Sequence, residues 1–341
     1  MCDIHAVRNA KSIDIHTHIL PEKMPSWSQK FGYGGFVSLE HHKQGCARMM
    51  IDDTFFREIM SNCWDAEVRV QEMVGFDCEM QVLSTIPVMF NYHIKSLDTL
   101  DISRFLNDHI ADIVKKYPNR FIGLGTIPMQ DTSLAVKELE RCVKELGLSG
   151  IQIGTNINEI NLSEPQFNPI WAKAEELGVA IFVHPWNMMG QNQMKKYWLP
   201  WLVGMPAESS RAICSLIFGG VFERYPKLRF AFAHGGGSFP FTVGRVQHGY
   251  EMRPDLCFID NQVSPETYCG HFWVDSLVHS PEALLYNMKL FGEDKISIGS
   301  DYPFPLGELS PGALIRSMNL EKEIKEKMLA KNAINWILGN Q

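Results

Sequence analysis

The chain has 341 residues, 45% of them hydrophobic, and a formal net charge of −7 at neutral pH. An acidic balance with no basic stripe argues against a nucleic-acid partner. The longest apolar run, near residues 212–222, is shorter than the roughly 20 residues that a membrane-spanning helix needs, so we expect no contact with a membrane.

The N-terminus and the cysteines indicate a cellular compartment. Residues 1–11 contain no apolar stretch of the kind found in a secretory signal. The eight cysteines are scattered and form no CxxC pair, which in a chain of this length is typical of reduced thiols. We therefore expect a cytoplasmic protein.

Short apolar strands recur along the chain and alternate with amphipathic helices. The pattern predicts strands at 12–18, 79–84, 121–127, 150–153, 179–184, 228–234, 272–276 and 296–301. It predicts helices at 64–75, 102–117, 134–146, 169–177, 210–222, 282–290 and 311–338. Alternating strands and helices indicate a parallel sheet. Eight such units favour closure into a (β/α)8 TIM barrel over an open doubly wound sheet, because no GxGxxG motif follows the first strand.

Residues 20–63 interrupt this rhythm. Glycine, proline, histidine and aromatic residues are mixed there with little periodicity. We interpret this segment as an insertion after the first strand, either a lid or a small subdomain, within a single domain that spans residues 1–341.

Polar residues stand at the predicted carboxyl ends of several strands, where barrel enzymes carry their active sites. His16 and His18 end the first strand, His184 the fifth and Asp301 the eighth. Two histidines at positions i and i+2 of a strand point to the same side, so both can reach one ion. Three imidazoles and a carboxylate suit Zn²⁺, with water completing a catalytic site. We predict that these four residues bind a metal ion.

His234, at the end of the sixth strand, has a different predicted role. A histidine beside a metal-bound water can act as a general base, and Asp301 could share this work through a second hydrogen bond. The run HGGG at 234–237 also resembles a lipase oxyanion motif, but that motif requires a GxSxG elbow, which the sequence lacks. We interpret the glycines as a tight turn beneath the metal site.

Longer motifs resemble one enzyme family. The segments HPW at 184–186, KYWLPWLVGMP at 196–206, AHGGGSFPFTVGR at 233–245 and GSDYPFPLGE at 299–308 are similar to those of the alpha-amino-beta-carboxymuconate-epsilon-semialdehyde decarboxylases of the amidohydrolase superfamily. The resemblance covers nearly all of the chain after Ser12 and is weakest between residues 20 and 55.

The resemblance implies roles for individual residues. It implies that His16, His18, His184 and Asp301 bind zinc and that His234 is catalytic. It implies that Arg57 and Arg245 bind the carboxylates of a small dicarboxylate substrate, with Arg245 reaching in from the neighbouring subunit of a homodimer, and that Trp201 and Phe304 line the pocket. Dinuclear members of the superfamily bridge two metals from the fourth strand, but Gln152 stands there in this chain, so one Zn²⁺ per subunit is expected.

The family's reaction is the non-oxidative decarboxylation of 2-amino-3-carboxymuconate 6-semialdehyde to 2-aminomuconate 6-semialdehyde. In the kynurenine pathway of tryptophan degradation this reaction limits the formation of quinolinate and NAD. Three alternatives remain open at this point: a decarboxylase of an aromatic acid such as a hydroxybenzoate, a metal-dependent lactone or amide hydrolase, and a catalytically inactive binding protein.

Overall fold

The computed structural model describes residues 2–339. Its strands, in chain order, are β1 (Ile13–Ile19), β2 (Val37–Lys43), β3 (Cys46–Ile51), β4 (Thr54–Met60), β5 (Met80–Thr85), β6 (Phe121–Gly125), β7 (Gly150–Gly154), β8 (Asn156–Ile157), β9 (Ile160–Asn161), β10 (Ala180–His184), β11 (Arg229–Phe232), β12 (Trp273–Asp275) and β13 (Ile296–Ser297). The predicted domain 1–341 includes Met1, Asn340 and Gln341, which lie outside the described residues, and the division into domains stays a prediction.

Helices follow most of the strands. They are α1 (Ile4–Asn9), α2 (Trp27–Phe31), α3 (Ala66–Gly75), α4 (Ser96–Lys116), α5 (Thr132–Lys144), α6 (Asn168–Leu177), α7 (Met205–Phe218), α8 (Val221–Arg224), α9 (Phe239–Met252), α10 (Pro254–Cys257), α11 (Pro281–Phe291), α12 (Ala313–Ser317), α13 (Lys322–Glu326) and α14 (Asn332–Leu338). Five-residue π-helical turns occupy Pro200–Gly204 and Lys327–Lys331. Among the described helices, none combines the length and the apolar character needed to cross a bilayer.

Eight parallel strands form one sheet in the order β1, β5, β6, β7, β10, β11, β12, β13. Hydrogen bonds join the segment that follows the last of these strands back to the first strand: the Ile15 N–H donates to the Ile298 carbonyl at 2.9 Å, and the His18 N–H donates to the Tyr302 carbonyl at 2.8 Å. These bonds satisfy backbone groups that an open edge would leave unpaired. The predicted (β/α)8 barrel is therefore confirmed.

The sheet buries apolar side chains on both of its faces. Ile15, Phe182 and Trp273 belong to a cluster inside the barrel, which Val7 of α1 and Trp336 of α14 cover at the end where the strands begin. Alternate residues such as those at 181, 183 and 230 pack outward against the helices in a second, larger cluster. Polar side chains at the opposite end of the barrel therefore rest on a closed apolar floor.

The insertion at 20–63 is more regular than its composition indicates. It contains α2 and an antiparallel sheet of β2, β3 and β4. Most of β2 is exposed, which explains why its sequence shows no apolar alternation. Ala47 and Met49 pack in one cluster with Ile86, Val88 and Phe304 of the barrel, so the insertion covers the carboxyl ends of the strands.

Several predicted boundaries were wrong. Helix α4 begins at Ser96 rather than residue 102, and the predicted helix at 311–338 is interrupted near Leu320. Helix α9 was not predicted, because Gly244 and Gly249 dilute its apolar pattern. The sixth and eighth barrel strands end at Phe232 and Ser297, so the backbone leaves regular strand geometry before the predicted site residues are reached.

Candidate active site

Strand β1 contains a bulge that directs two histidines into the barrel. Its register against β5 shifts after Asp14. Ile13 and Ile15 belong to the inner apolar cluster, so strict alternation would send His16 and His18 to the outside. The extra residue of the bulge reverses the alternation. The His16 N–H, displaced from the ladder, donates to Asp14 Oδ1 at 3.1 Å.

His16, His18, His184 and Asp301 come together at the carboxyl ends of the strands. One candidate ligand atom from each residue lies within 4.8 Å of the others. The Nε2 atoms of His16 and His18 are 3.2 Å apart, and Asp301 Oδ1 lies 3.4 Å and 3.0 Å from them. The histidines are buried, and the Asp301 side chain is 14% exposed. This group of nitrogen and oxygen ligands can hold a divalent transition metal.

Each of the three histidines is anchored through Nδ1, which leaves its Nε2 atom facing the site. The acceptors for His16, His18 and His184 are Asp275 Oδ2 at 2.7 Å, the Thr85 carbonyl at 3.0 Å and the Pro185 carbonyl at 2.9 Å, respectively. When the ring is neutral, a carbonyl or carboxylate acceptor at Nδ1 places the proton there and the lone pair on Nε2. This is the arrangement that metal-binding histidines adopt in proteins.

The chemistry of the donor set fits a metal ion. His184 Nε2 is buried and has no hydrogen-bond partner among residues 2–339, and a buried polar atom without a partner is costly. Burial lowers the pKa of His18 and of His184, which keeps both rings neutral with a free lone pair. Burial alone would raise the pKa of Asp301, but the neighbouring histidines hold it well below its ordinary value. Three of the ligand atoms are thus prepared for a cation.

The turns that carry Asp301 and His234 have unusual backbone geometry. Asp301 has φ 55° and His234 has φ 56°, in the left-handed region that residues other than glycine seldom occupy. Gly235 follows with φ 63°, and a Cβ atom there would lie 2.4 Å from a side-chain carbon of Val278. Glycine is therefore required in this turn, as the sequence indicated.

His234 lies beside the group of four ligands rather than within it. Its ring centroid is 5.2 Å from those of His16 and of His184. Its Nε2 atom is 3.9 Å from Asp301 Oδ2, and its side chain is 17% exposed. This position suits proton transfer to a molecule bound next to the ligand group.

Arg57 lines a cavity that is also lined by His18, His184 and Asp301. Strand β4 is bulged opposite β3, so the adjacent residues Phe56 and Arg57 both line this cavity.

Three aromatic rings surround the Arg57 guanidinium, with centroids at 5.0 Å for Phe56, 5.9 Å for Trp201 and 4.7 Å for Phe304. Burial lowers the pKa of Arg57, although Asp301 acts in the opposite direction. Within the described part of the chain Arg57 has no ion-pair partner, so its donors are available to a ligand.

Arg245 is the predicted substrate-binding residue that the fold does not bring to this cavity. It is exposed on α9. Phe241, one helical turn earlier, is 71% exposed and lines a second cavity beside His234. A contact between Arg245 and a substrate would therefore require another subunit.

Two supporting residues were missed by the sequence analysis. Asp275 lies within the predicted strand at 272–276. Its position near the carboxyl end of that strand was the only signal in the sequence that it could support the site. Gln152 was considered only as a metal bridge, but its side chain accepts from the Ser84 hydroxyl at 2.6 Å and donates to the Thr85 carbonyl at 2.9 Å. It thereby supports the same carbonyl that orients His18.

Comparison with known proteins agrees with this geometry. A family model described as "Amidohydrolase" matches residues 13–336. The chain belongs to the amidohydrolase family. This amidohydrolase is 57% identical to a 2-amino-3-carboxymuconate-6-semialdehyde decarboxylase of Dictyostelium discoideum, over 95% of this chain and 91% of the relative. It is 37% identical to a protein of the same name from Caenorhabditis elegans, over 99% and 96% of the two chains.

A solved structure shares the fold of this amidohydrolase. It is a dihydroxybenzoic acid decarboxylase from a Polaromonas species with bound manganese, 21% identical, with a TM-score of 0.78 over 97% of this chain and 98% of that chain. The relatives at higher identity are named as decarboxylases. This member of the amidohydrolase family is accordingly a carboxy-lyase.

Glu208 anchors one wall of the cavity. Residues 185–204 carry Trp186, Trp198 and Trp201 of the cavity lining. Glu208 of α7 is fully buried and accepts from the Met189 N–H at 2.9 Å and from Asn156 Nδ2 at 2.8 Å. Asn156 Nδ2 also lies 3.2 Å from the Trp186 carbonyl. One carboxylate therefore holds the tryptophan-bearing segment against the barrel.

We expect Glu208→Gln to raise KM for the decarboxylated substrate without loss of metal. A glutamine amide must set its NH2 group against one of these donors, and an unpaired buried donor costs about 1–3 kcal/mol. If all of this cost opposes substrate binding, KM rises by about 5- to 150-fold. Steady-state kinetics and metal analysis measure the two effects. Glu140→Gln on the exposed face of α5 is the matched control. An unchanged KM, or a loss of bound metal, would contradict this role.

Proposed function

We propose that this amidohydrolase is a zinc-dependent decarboxylase that converts 2-amino-3-carboxymuconate 6-semialdehyde to 2-aminomuconate 6-semialdehyde. The observation that carries the proposal is the unpaired guanidinium of Arg57 in an aromatic cavity that also contains His18, His184 and Asp301. An arginine binds a carboxylate through two parallel hydrogen bonds. Such a cavity suits a conjugated acid that is held at one carboxylate while another is lost, and the relatives from Dictyostelium discoideum and Caenorhabditis elegans carry the name of this activity.

His16, His18, His184 and Asp301 would hold the zinc ion. When bound, such an ion supplies Lewis acidity, which makes water a nucleophile near neutral pH and stabilises negative charge. A solved structure of the same fold contains manganese. The experiment must therefore also establish which metal supports activity. Gln152 uses its amide in hydrogen bonds to the barrel, which supports a single ion per subunit.

The residues of the chain divide the remaining work. Water adds to the carbon adjacent to the carbon that bears the departing carboxylate, and His234 Nε2 takes a proton from this water. His234 then gives the proton to the carbon that bears the carboxylate. Loss of CO2 leaves an electron pair that re-forms the double bond and expels hydroxide. Arg57 holds a carboxylate while Phe304 and Trp201 shield the reacting carbons from solvent.

This reaction would divert material from quinolinate and NAD formation in the kynurenine pathway. The cytoplasmic location stays a prediction.

A coupled assay tests the substrate. The unstable semialdehyde is generated in place from 3-hydroxyanthranilate, and its absorbance is followed together with CO2 release. We expect rapid, zinc-dependent loss of absorbance with stoichiometric CO2. Consumption of substrate without CO2 would indicate a hydrolase. No acceleration by folded, zinc-loaded protein would refute this substrate and direct the search to hydroxybenzoates.

We expect His234→Ala to retain bound metal and to lose turnover. The residue lies outside the group of four ligands, and a lost general base lowers rates by about 10²–10⁴-fold. Metal content and kcat are measured on the same preparation, with His184→Ala as the comparison in which metal is lost. A parallel loss of metal and turnover in His234→Ala would show that His234 is a ligand.

We further propose a homodimer in which Arg245 of one subunit reaches the substrate of the other. Its exposed position on α9, away from its own cavity, supports this arrangement. Phe241, one helical turn before Arg245, stacks on Tyr286 with the ring centroids 5.0 Å apart, and both rings are exposed, which suits an interface between copies.

Mixing two inactive variants tests the shared site. Arg245→Ala and His234→Ala are each expected to be inactive alone. In a re-equilibrated equal mixture half of the dimers are hybrids, and each hybrid has one site with both residues, so about a quarter of wild-type activity should return. Mixing His234→Ala with Arg57→Ala gives no such rescue if the chain supplies Arg57 to its own site. Absence of recovery in verified hybrids would place Arg245 outside the partner's site.

A further inference from the structure

Asp275 ends β12 with a fully buried carboxylate that accepts four hydrogen bonds. Oδ2 lies 2.7 Å from His16 Nδ1 and accepts from the His234 N–H at 2.9 Å. Oδ1 accepts from the N–H groups of Gly235 and Leu277 at 2.8 Å and 3.1 Å. Both oxygens are therefore saturated with donors.

The surroundings are shaped around this carboxylate. A Cβ atom on Gly299 would lie 2.4 Å from Asp275 Cβ, so only glycine leaves room for the side chain. The Gly235 carbonyl accepts from Asn287 Nδ2 at 3.0 Å. The turn after β11 is thus held from one side by Asp275 and from the other by Asn287.

We propose that Asp275 is a positioning residue that sets a metal ligand and the proton-transfer histidine relative to each other. It orients the His16 ring through Nδ1, and it fixes the backbone that carries the His234 ring. One carboxylate oxygen contacts both residues, so neither can move without the other. The part of this inference that concerns His234 rests on the proposed function, whereas the part that concerns His16 does not.

The bonding pattern requires a carboxylate at this position. Three of the four donors are backbone N–H groups, which cannot change their role. An asparagine must place its NH2 group either against the N–H groups of Gly235 and Leu277 or against those of His234 and His16. In the second case His16 can respond only by moving its proton to Nε2, which removes the lone pair that a metal needs.

Metal titration of Asp275→Asn tests the inference. After removal of metal with a chelator, Co²⁺ is titrated while its visible spectrum is followed, and Zn²⁺ affinity is measured by competition. We expect affinity to fall by about 10–100-fold, as it does when a partner of a metal-binding histidine is lost. We also expect an altered Co²⁺ spectrum and a lower kcat at saturating metal. Wild-type affinity and spectrum would overturn the proposal, and lower affinity with a wild-type kcat at saturating metal would overturn the coupling to His234.

Two other variants separate positioning from general destabilisation. Glu138→Gln alters another fully buried carboxylate, bonded to Asn107 and Arg141 between helices α4 and α5, and should keep wild-type affinity and spectrum. Asn287→Ala loosens the turn without touching His16, so it should lower kcat and leave affinity unchanged. A fall in metal affinity in either variant would count against a specific role for Asp275.

The inference remains testable if Asp275→Asn does not fold. Gly299→Ala keeps the carboxylate but displaces it, and the same loss of affinity is expected; a folded Gly299→Ala protein with wild-type affinity would overturn the proposal. The titrations need no substrate. If wild-type protein fails to decarboxylate the muconate semialdehyde, the proposed function is wrong. The metal titrations still decide whether Asp275 affects metal binding.

Discussion

The structure of the site depends on one constraint: a buried imidazole must have a partner for the nitrogen that does not face the group of candidate ligands. An unpaired buried polar atom is costly, so each ligand histidine needs a fixed acceptor behind it. Asp275, the Thr85 carbonyl and the Pro185 carbonyl supply these acceptors for His16, His18 and His184. With the outer nitrogens satisfied, the inner nitrogens converge on one point, and His184 Nε2 is left without a partner among the described residues. The ligands are therefore arranged by the barrel itself.

The same constraint explains the departures from regular backbone geometry. A strand directs side chains alternately to its two faces, so β1 can cover the barrel floor with Ile15 and still direct His16 inward only through a bulge. The bulge releases an N–H group, which Asp14 accepts while it also accepts from the Ser300 N–H at 3.1 Å. His234 and Asp301 adopt left-handed backbone where their strands have ended. Irregular geometry thus occurs where the ligand group would otherwise be out of reach.

The sequence was informative where polar residues stood at strand ends, because a parallel barrel brings all of those ends to one rim. His16, His18, His184 and Asp301 could be chosen on that basis, and the structure places them together. Asp275 also stands at a strand end, but nothing in its sequence neighbourhood distinguishes a carboxylate that orients a ligand from one that is a ligand. The insertion was harder to predict because β2 is mostly exposed and lacks apolar alternation. Arg57 and Arg245 were identified only through family motifs, since a single arginine carries no periodic pattern.

The candidate metal ligands and the walls of the adjoining cavity come from different parts of the fold, and the reason is geometric. The strand ends supply the ligands and their acceptors, so the guanidinium that faces the same cavity comes from β4 of the insertion. The tryptophan wall comes from residues 185–204, which Glu208 and Asn156 hold in place. The insertion and residues 185–204 both lie outside the barrel strands. Under the proposed function, the substrate preference of this chain would therefore depend on the residues that face the ligand group from outside the barrel, Arg57 above all, because the residues within the barrel are held by the hydrogen bonds that orient the histidines.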